Sequence, residues 1–367
     1  MKILYVTTVG ITMTFFKQLI KELLDEGHTV DIMCNETDMK VPDCYREWNC
    51  KIYHHSCSRS PLSKGNLLAI GEIKKLVEEQ KYDIVHCHTP IAAMCTRVAC
   101  RKLRKQGVKV MYTAHGFHFY KGAPLLNWMI YYPIEKICSY WTDVLITINQ
   151  EDYNLATRKM RARRIEYVPG VGIDIDKFKN TVVNKKQKRE ELGIPEDAFL
   201  LLSVGELNEN KNHELVIRAL AEIKNKNIHY LIAGEGNLKS YLTNLCSELS
   251  LSDNVHLAGY RKDVNELYMI SDAFIFPSFR EGLSVSLMEA MSVGLPCLVS
   301  KIRGNVDLIT NEGGILFDSH IVEECKNAIN KIVNNDLKSL SVYNMQAIKK
   351  YEINEINKLM KKVYENE

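Results

Sequence analysis

Several absences narrow what this 367-residue chain is. No apolar run approaches the ~18 residues that a membrane-spanning helix requires. The run Met1–Val6 stops at Thr7-Thr8 with no small-residue cleavage site after it, so it reads as a first β-strand and not as a signal peptide. Neither charge dominates, since 48 Lys and Arg stand against 45 Asp and Glu for a net +3. Low-complexity tracts and convincing internal repeats are missing. The eleven cysteines include no C-x-x-C spacing. Their odd number, with Cys34, Cys87, Cys138 and Cys297 inside apolar patterns, points to a reducing compartment. The run His86-Cys87-His88 with Cys95 is rejected as a zinc site, because adjacent strand residues face opposite sides and no second ligand pair has metal-site spacing. These features together predict a cytoplasmic protein.

The chain exceeds the ~250–300 residues at which one core stops growing, so two domains are expected. With 46% hydrophobic and 25% charged residues it has ordinary globular composition. Short β-branched runs alternate with helical periodicity, the signature of βα units around parallel sheets. Strands are predicted at Ile3–Thr7, Thr29–Met33, Lys51–His54, Ile84–Cys87, Val108–Tyr112, Val144–Thr147 and Ile165–Val168. A second series begins at Phe199–Val204 and continues at His229–Ala233, Val255–Ala258, Ala273–Phe276 and Cys297–Ser300. Between them the lysine-rich stretch Lys177–Arg189 reads as a linker, and Leu340–Glu367 reads as helical.

The densest chemistry lies in Phe276-Pro277-Ser278-Phe279-Arg280-Glu281-Gly282-Leu283-Ser284-Val285-Ser286-Leu287-Met288-Glu289. A buried strand ends at Phe276, a loop carries Glu281, and Ser284 is positioned as N-cap of a helix on which Glu289 falls about 8 Å along the axis at ~1.5 Å per residue. The N–H groups and dipole of that helix start attract phosphate. Carboxylates on either side of it suit the hydroxyls of sugars. Taken alone, two glutamates are ordinarily solvated charges; the flanking strand, glycines and proline favour a site.

With Gly282 after the first glutamate and Gly294-Leu295-Pro296 closing the helix, this segment resembles the E-x7-E signature of retaining glycosyltransferases of family 4, the group 1 glycosyltransferases of bacterial exopolysaccharide and capsule type. The resemblance implies an α/β GT-B fold of two doubly wound Rossmann-like domains facing a central cleft. Its expected boundaries are 1–175 for an acceptor-side domain, 176–345 for a nucleotide-sugar domain, and 346–367 for a helix crossing back to the first. It places the donor sugar on Glu281 and the ribose on Glu289.

Other loops follow strands at the sheet edge where open α/β folds bind ligands. Gly205-Glu206-Leu207 with Lys211 resembles the family's G-R-L segment and its lysine, which implies a diphosphate contact for Lys211. Glu206 stands at the arginine position, a departure that removes one cation. Arg280 is either an ordinary surface residue or its replacement. Gly234-Glu235-Gly236 is a weak phosphate-loop signal that turn geometry explains equally well. Tyr260 and Arg261 occupy the segment that meets the base in similar enzymes, and Tyr260 is equally readable as packing. Leu283 and Ser284 complete the donor loop. In the first half, Thr113-Ala114-His115-Gly116 resembles the family's H-G segment beside the donor sugar, and Val9-Gly10-Ile11-Thr12 its glycine loop, without the usual Gly-Gly.

The resemblance implies a retaining hexosyltransferase that moves a sugar from a nucleotide diphosphate, UDP, to a carbohydrate or lipid-linked acceptor in surface polysaccharide synthesis. No cofactor, no metal and no nucleic-acid partner are expected. Asp174-Ile175-Asp176, the one Asp-x-Asp, resembles the family's hinge segment and reads as structural. Two alternatives share the architecture: a sugar-nucleotide epimerase, and a donor-binding partner subunit without turnover. The basic runs Arg101–Lys105 and Arg158–Arg164 are either solvated helix faces or a weak attraction to the inner face of an anionic membrane. The aromatic-rich segment Phe119–Trp141 is either core or an acceptor- or membrane-facing surface.

Overall fold

The chain forms two parallel sheets, and the central strands of the second, such as Phe199–Val204 and Ala273–Phe276, are apolar on both faces. The computed structural model describes residues 1–37, 39–335 and 337–365. The first sheet contains β1 (Lys2–Val9), β2 (Thr29–Asn35), β3 (Ile52–His54), β4 (Ile84–His88), β5 (Lys109–Ala114), β6 (Val144–Thr147) and β7 (Arg164–Tyr167), in the order β3-β2-β1-β4-β5-β6-β7. The second contains β8 (Phe199–Val204), β9 (Ile228–Ala233), β10 (Val255–Gly259), β11 (Ala273–Phe276), β12 (Cys297–Ser300) and β13 (Gly314–Phe317), in the order β10-β9-β8-β11-β12-β13. Every strand pairing is parallel.

Strand periodicity divides the core of the second unit. Leu200, Leu202, Phe274 and Phe276 face one cluster, while Leu201, Ala273 and Ile275 face the other. Helices cover both sides, which is why these strands are continuously apolar instead of alternating. In the first unit Leu4, Val6, Val85 and Cys87 face one core, whereas Tyr5, His86 and His88 face the other side of the sheet. Each sheet reverses its order once, between β1 and β4 and between β8 and β11. Those switch points are where open α/β sheets gather ligand-binding loops.

Three expectations need correction. β13 was not among the predicted strands, because Gly314-Ile315-Leu316-Phe317 is too short and glycine-led to carry a period. The supposed linker is largely folded: helices span Ile175–Lys179 and Lys185–Glu191, Phe178 is buried, and Arg189 donates to the carbonyls of Ile270, Glu196 and Ala198 and to Asp272. Lys177, Lys179, Lys185 and Lys186 lie on the outside of these packed helices, whereas Lys188 is largely buried between Glu191, Asp263 and Glu266.

The third correction concerns boundaries. One unit is Met1–Val171 plus the chain from Asn357, and the other is Gly172–Ile356, in place of divisions at 175/176 and 345/346. Gly172, at φ +78, lies so close to Ile353 that a Cβ would sit 2.6 Å from its Cα, and Ile173 exchanges backbone bonds with Tyr351 and Ile353. Residues 172–175 therefore belong to the second unit. The last helix is Ile353–Glu365, and residues 366 and 367 of the expected terminal segment lie outside the described residues.

Candidate donor-binding site

In the second unit, glycines let successive strand-end loops touch. Gly205 N–H donates to the Ala233 carbonyl and Gly234 N–H to the Gly259 carbonyl. A Cβ on Gly234 would lie 1.9 Å from the Gly205 oxygen. Beyond this layer, a 3-10 turn at Glu209–Lys211 is capped by the Asn208 side chain, which accepts from Lys211 N–H at 3.1 Å. The turn directs the Lys211 stem over Gly205, where a Cβ would meet Cε at 3.1 Å. Lys211 Nζ lies 2.7 Å from Glu281 Oε1 and 4.5 Å from the centre of the Phe276 ring. Both side chains are largely buried, at 19% and 13% exposure, so the pair is a preorganised cation–carboxylate unit at the β8/β11 switch point.

The Glu281 loop is held from both sides. Phe279 N–H donates to the Asn210 carbonyl at 2.9 Å, and Asn210 Nδ2 donates to the Arg280 carbonyl at 3.0 Å. From the β12 side, Arg303 Nε donates to the Glu281 carbonyl at 3.2 Å. Gly304, at φ +75, approaches Gly282 so closely that a Cβ would lie 2.2 Å from its oxygen. Leu283 packs on the core beneath. Ser284 then caps the helix Val285–Ser292, accepting from Leu287 N–H at 3.3 Å. On that helix Glu289 accepts from the Tyr268 hydroxyl at 2.9 Å. Burial holds the Glu289 carboxyl above the ordinary range, against the opposing pull of that hydrogen bond and of the Lys177 charge.

The remaining predicted residues divide. Glu206 is exposed and Tyr260 is 70% exposed. The Arg261 side chain is engaged by Asp263 at 2.8 Å and Glu191 at 3.2 Å, which leaves its backbone as the group available to a ligand. Asp174 caps the Ile175–Lys179 helix through Lys177 N–H at 3.0 Å. Among the described residues no group of three or more His, Cys, Asp or Glu is placed to hold a metal ion. Arg303 and Tyr268 were not identified from sequence. Arg303 follows β12 at the same sheet edge as the other loops, a signal that was available; nothing local marks Tyr268.

In the first unit, Gly10 starts the 3-10 segment Gly10–Phe16, and its N–H donates to the Met39 carbonyl. A Cβ there would lie 2.4 Å from Val41 N, so glycine is required by close approach. His115 lies at the end of β5, its Nε2 3.1 Å from His88 Nδ1. Phe16 and His88 rings stand against one another, and His86 links Tyr364 to Thr113. Burial lowers the His115 pKa to about 4 and that of His86 to about 3, and lowers His88 well below its ordinary value. All three are neutral at pH 7. His88 Nε2 is buried with no hydrogen-bond partner. A proton there would be an orphaned donor, so His88 carries it on Nδ1, donates to His115 Nε2, and leaves His115 with an N–H at Nδ1. Thr89, next in the chain, has φ +64, an outlier for a β-branched residue at the β1/β4 switch point.

The aromatic segment resolves by face. Phe119 is core and Trp128, Tyr131 and Tyr132 pack against it, whereas Leu125, Leu126, Met129 and Ile137 on the same Leu125–Ser139 helix are exposed. Among the described residues no helix is long and apolar enough to cross a membrane.

Two parallel-sheet Rossmann-like units of this kind make up the GT-B fold of glycosyltransferases. Residues 184–351 match the family described as glycosyl transferases group 1, and residues 2–149 match a glycosyl transferase 4-like family. EpsD of Bacillus subtilis (strain 168), a glycosyltransferase by name, is 40% identical over 263 residues, covering 70% of this chain and 69% of EpsD. The UDP-Gal:alpha-D-GlcNAc-diphosphoundecaprenol alpha-1,3-galactosyltransferase of Escherichia coli is 30% identical over 276 residues, 73% of this chain and 70% of that one. HepE of Anabaena, solved with UDP and with UDP-glucose, superposes with a TM-score of 0.82 over 100% of both chains at 18% identity. The chain belongs to the group 1 glycosyltransferases.

Proposed function

We propose that this chain transfers a hexose from a UDP-sugar, with retention at the anomeric carbon, to a carbohydrate or lipid-linked acceptor of surface polysaccharide synthesis. The observation that carries the reading is the Lys211–Glu281 pair, 2.7 Å apart beside the Ser284-capped helix start. Bond breaking leaves a diphosphate with new negative charge and an oxocarbenium-like sugar, and the site has a group for each. Lys211, Arg280 and the helix N–H groups take the diphosphate. Glu281 contacts the sugar, and Glu289 binds the ribose. The His115 Nδ1–H donates to a sugar hydroxyl or the departing phosphate. The leaving phosphate itself accepts the acceptor's proton, so no protein nucleophile is required.

The E. coli relative's name supports a UDP donor and a lipid-linked acceptor. The apolar face of the Leu125–Ser139 helix, with Leu125 81% and Met129 73% exposed, together with the basic runs, supports docking of a cytoplasmic protein on the inner face of an anionic membrane. Turnover proceeds without a divalent cation, because Lys211 and the helix start supply the positive charge.

Mass spectrometry of products from a panel of nucleotide sugars with undecaprenyl-diphosphate-linked acceptors, with and without chelator, tests the proposal. Conversion of the donor without any acceptor would establish the epimerase reading instead. Nucleotide binding without turnover for every acceptor, until a second subunit is added, would establish the partner-subunit reading. Activity abolished by chelator and restored by manganese would overturn metal independence.

A further inference from the structure

The second unit holds a cavity of about 710 Å³ whose lining includes none of Lys211, Glu281 and Glu289. Its walls come from the strand-end loops after β8, β11 and β13, represented by Asn208, Phe279 and His320, and from the helices His213–Ile223 and Lys239–Glu248. It lies at the carboxyl edge of the sheet, and neither Lys211 nor Glu281 is among its lining residues.

The chemistry of the lining selects the ligand. Phe279 and Tyr241 present aromatic surface, at 37% and 44% exposure, and His320 tilts against Phe279 with ring centres 5.0 Å apart. Polar side chains edge them in a fixed arrangement: the Tyr241 hydroxyl donates to Glu214 Oε2 at 2.8 Å, and Arg218 Nε donates to Glu214 Oε1 at 2.7 Å. Those bonds hold the Tyr241 ring before any ligand arrives. Arg218 is neutralised by Glu214, exposed Glu209 adds one negative charge, and no lysine lines the cavity, so a phosphate or nucleotide finds no net attraction. A purely apolar ligand would strand the amide, carboxylate and guanidinium groups. What remains is a neutral ligand with C–H faces and a hydroxyl rim.

We infer that this cavity is a saccharide-binding subsite for a neutral oligosaccharide, the portion of the growing glycan remote from the transfer point. This deepens the glycosyltransferase reading and rests on it. Phe279 is also the residue whose N–H is held by the Asn210 carbonyl, two positions before Glu281, so an occupant presses directly on the donor loop.

The test is saturation-transfer NMR on the intact protein with maltotriose, lactose and N,N′-diacetylchitobiose, alongside UDP titration by calorimetry. At least one probe is expected to show ring-proton signals, weakened by at least about fivefold in Tyr241→Ala, the scale of truncating a contact residue worth ~1 kcal/mol or more. Tyr241→Phe, which keeps the ring, is expected to retain most of the signal, and UDP affinity is expected to be the same in all three proteins. Absence of signal from every probe at millimolar concentration, or equal signal in Tyr241→Ala, would overturn the subsite. Neither result touches the transferase reading, which UDP binding and turnover decide separately.

Discussion

Changing Glu281 to Gln probes the Lys211–Glu281 pair with almost no change of shape. Lys211 Nζ is engaged by Glu281 at 2.7 Å, and a diphosphate bound as proposed competes for that charge. A hydrogen bond to an ionised partner is worth about 1.5–3 kcal/mol and a neutral one about 0.5–1.5. Glu281→Gln therefore loosens the hold on Lys211 by about 1 kcal/mol. At ~1.4 kcal/mol per factor of ten, UDP should bind about fivefold tighter. Turnover should move the other way, because in the proposed mechanism Glu281 is the carboxylate that contacts the positively charged sugar. Removing one preorganised charge-stabilising group costs about 10²–10³ in kcat. Isothermal titration of UDP and steady-state kinetics on the same preparations read both numbers. A UDP affinity that falls in step with kcat would show that Glu281 binds the nucleotide, and would refute the division of roles.

Lys211→Ala and Arg280→Ala should each cost ~2–4 kcal/mol of transition-state stabilisation, and Glu206→Ala should be mild; a normal kcat/KM for Arg280→Ala would remove Arg280 from the site. Glu289 has a raised carboxyl pKa in the fold, so the stability it contributes is present at low pH and is lost as pH rises above the ordinary glutamate value of about 4.3. Glu289→Gln should accordingly melt no lower than wild type at pH 7, with the difference growing from pH 4 upward, while UDP affinity falls; a lower melting temperature at pH 7 would contradict the burial argument. His86, His88, His115 and His213 are held neutral by burial, with pKa values of about 3 for His86 and His213, about 4 for His115, and a lowered value for His88. Their stability is fully present above the unfolded value of ~6.5 and falls below it, by on the order of 1 kcal/mol per pH unit for each imidazole. Melting temperatures between pH 7.5 and 5 should drop steeply, and less so in His86→Gln; a flat profile would show that the rings take up protons in the fold.

Periodicity reached most of the architecture. Runs such as Phe199–Val204 and Ala273–Phe276 are apolar at every position, a pattern that requires cover on both faces and so implies parallel strands between helices. Ser284 is a short polar residue before an apolar stripe, and it does cap the helix. Where the sequence misled, local composition outweighed distant packing. The lysines of 177–189 resemble a linker, yet Arg189 within them is buried because Asp272 and three carbonyls lie where its guanidinium ends.

No local pattern records which loops meet. Lys211 and Glu281 are seventy positions apart, and they pair because β8 and β11 are neighbours in the sheet order. The same order brings Arg303 to the Glu281 carbonyl, while helix packing brings Tyr268 to Glu289 and the β4/β5 register brings His88 to His115. Element type follows from side-chain periods of about 2 and 3.6 residues, which are written along the chain. Side-chain partnership follows from the order in which strands assemble, and that order is set only when the whole core closes.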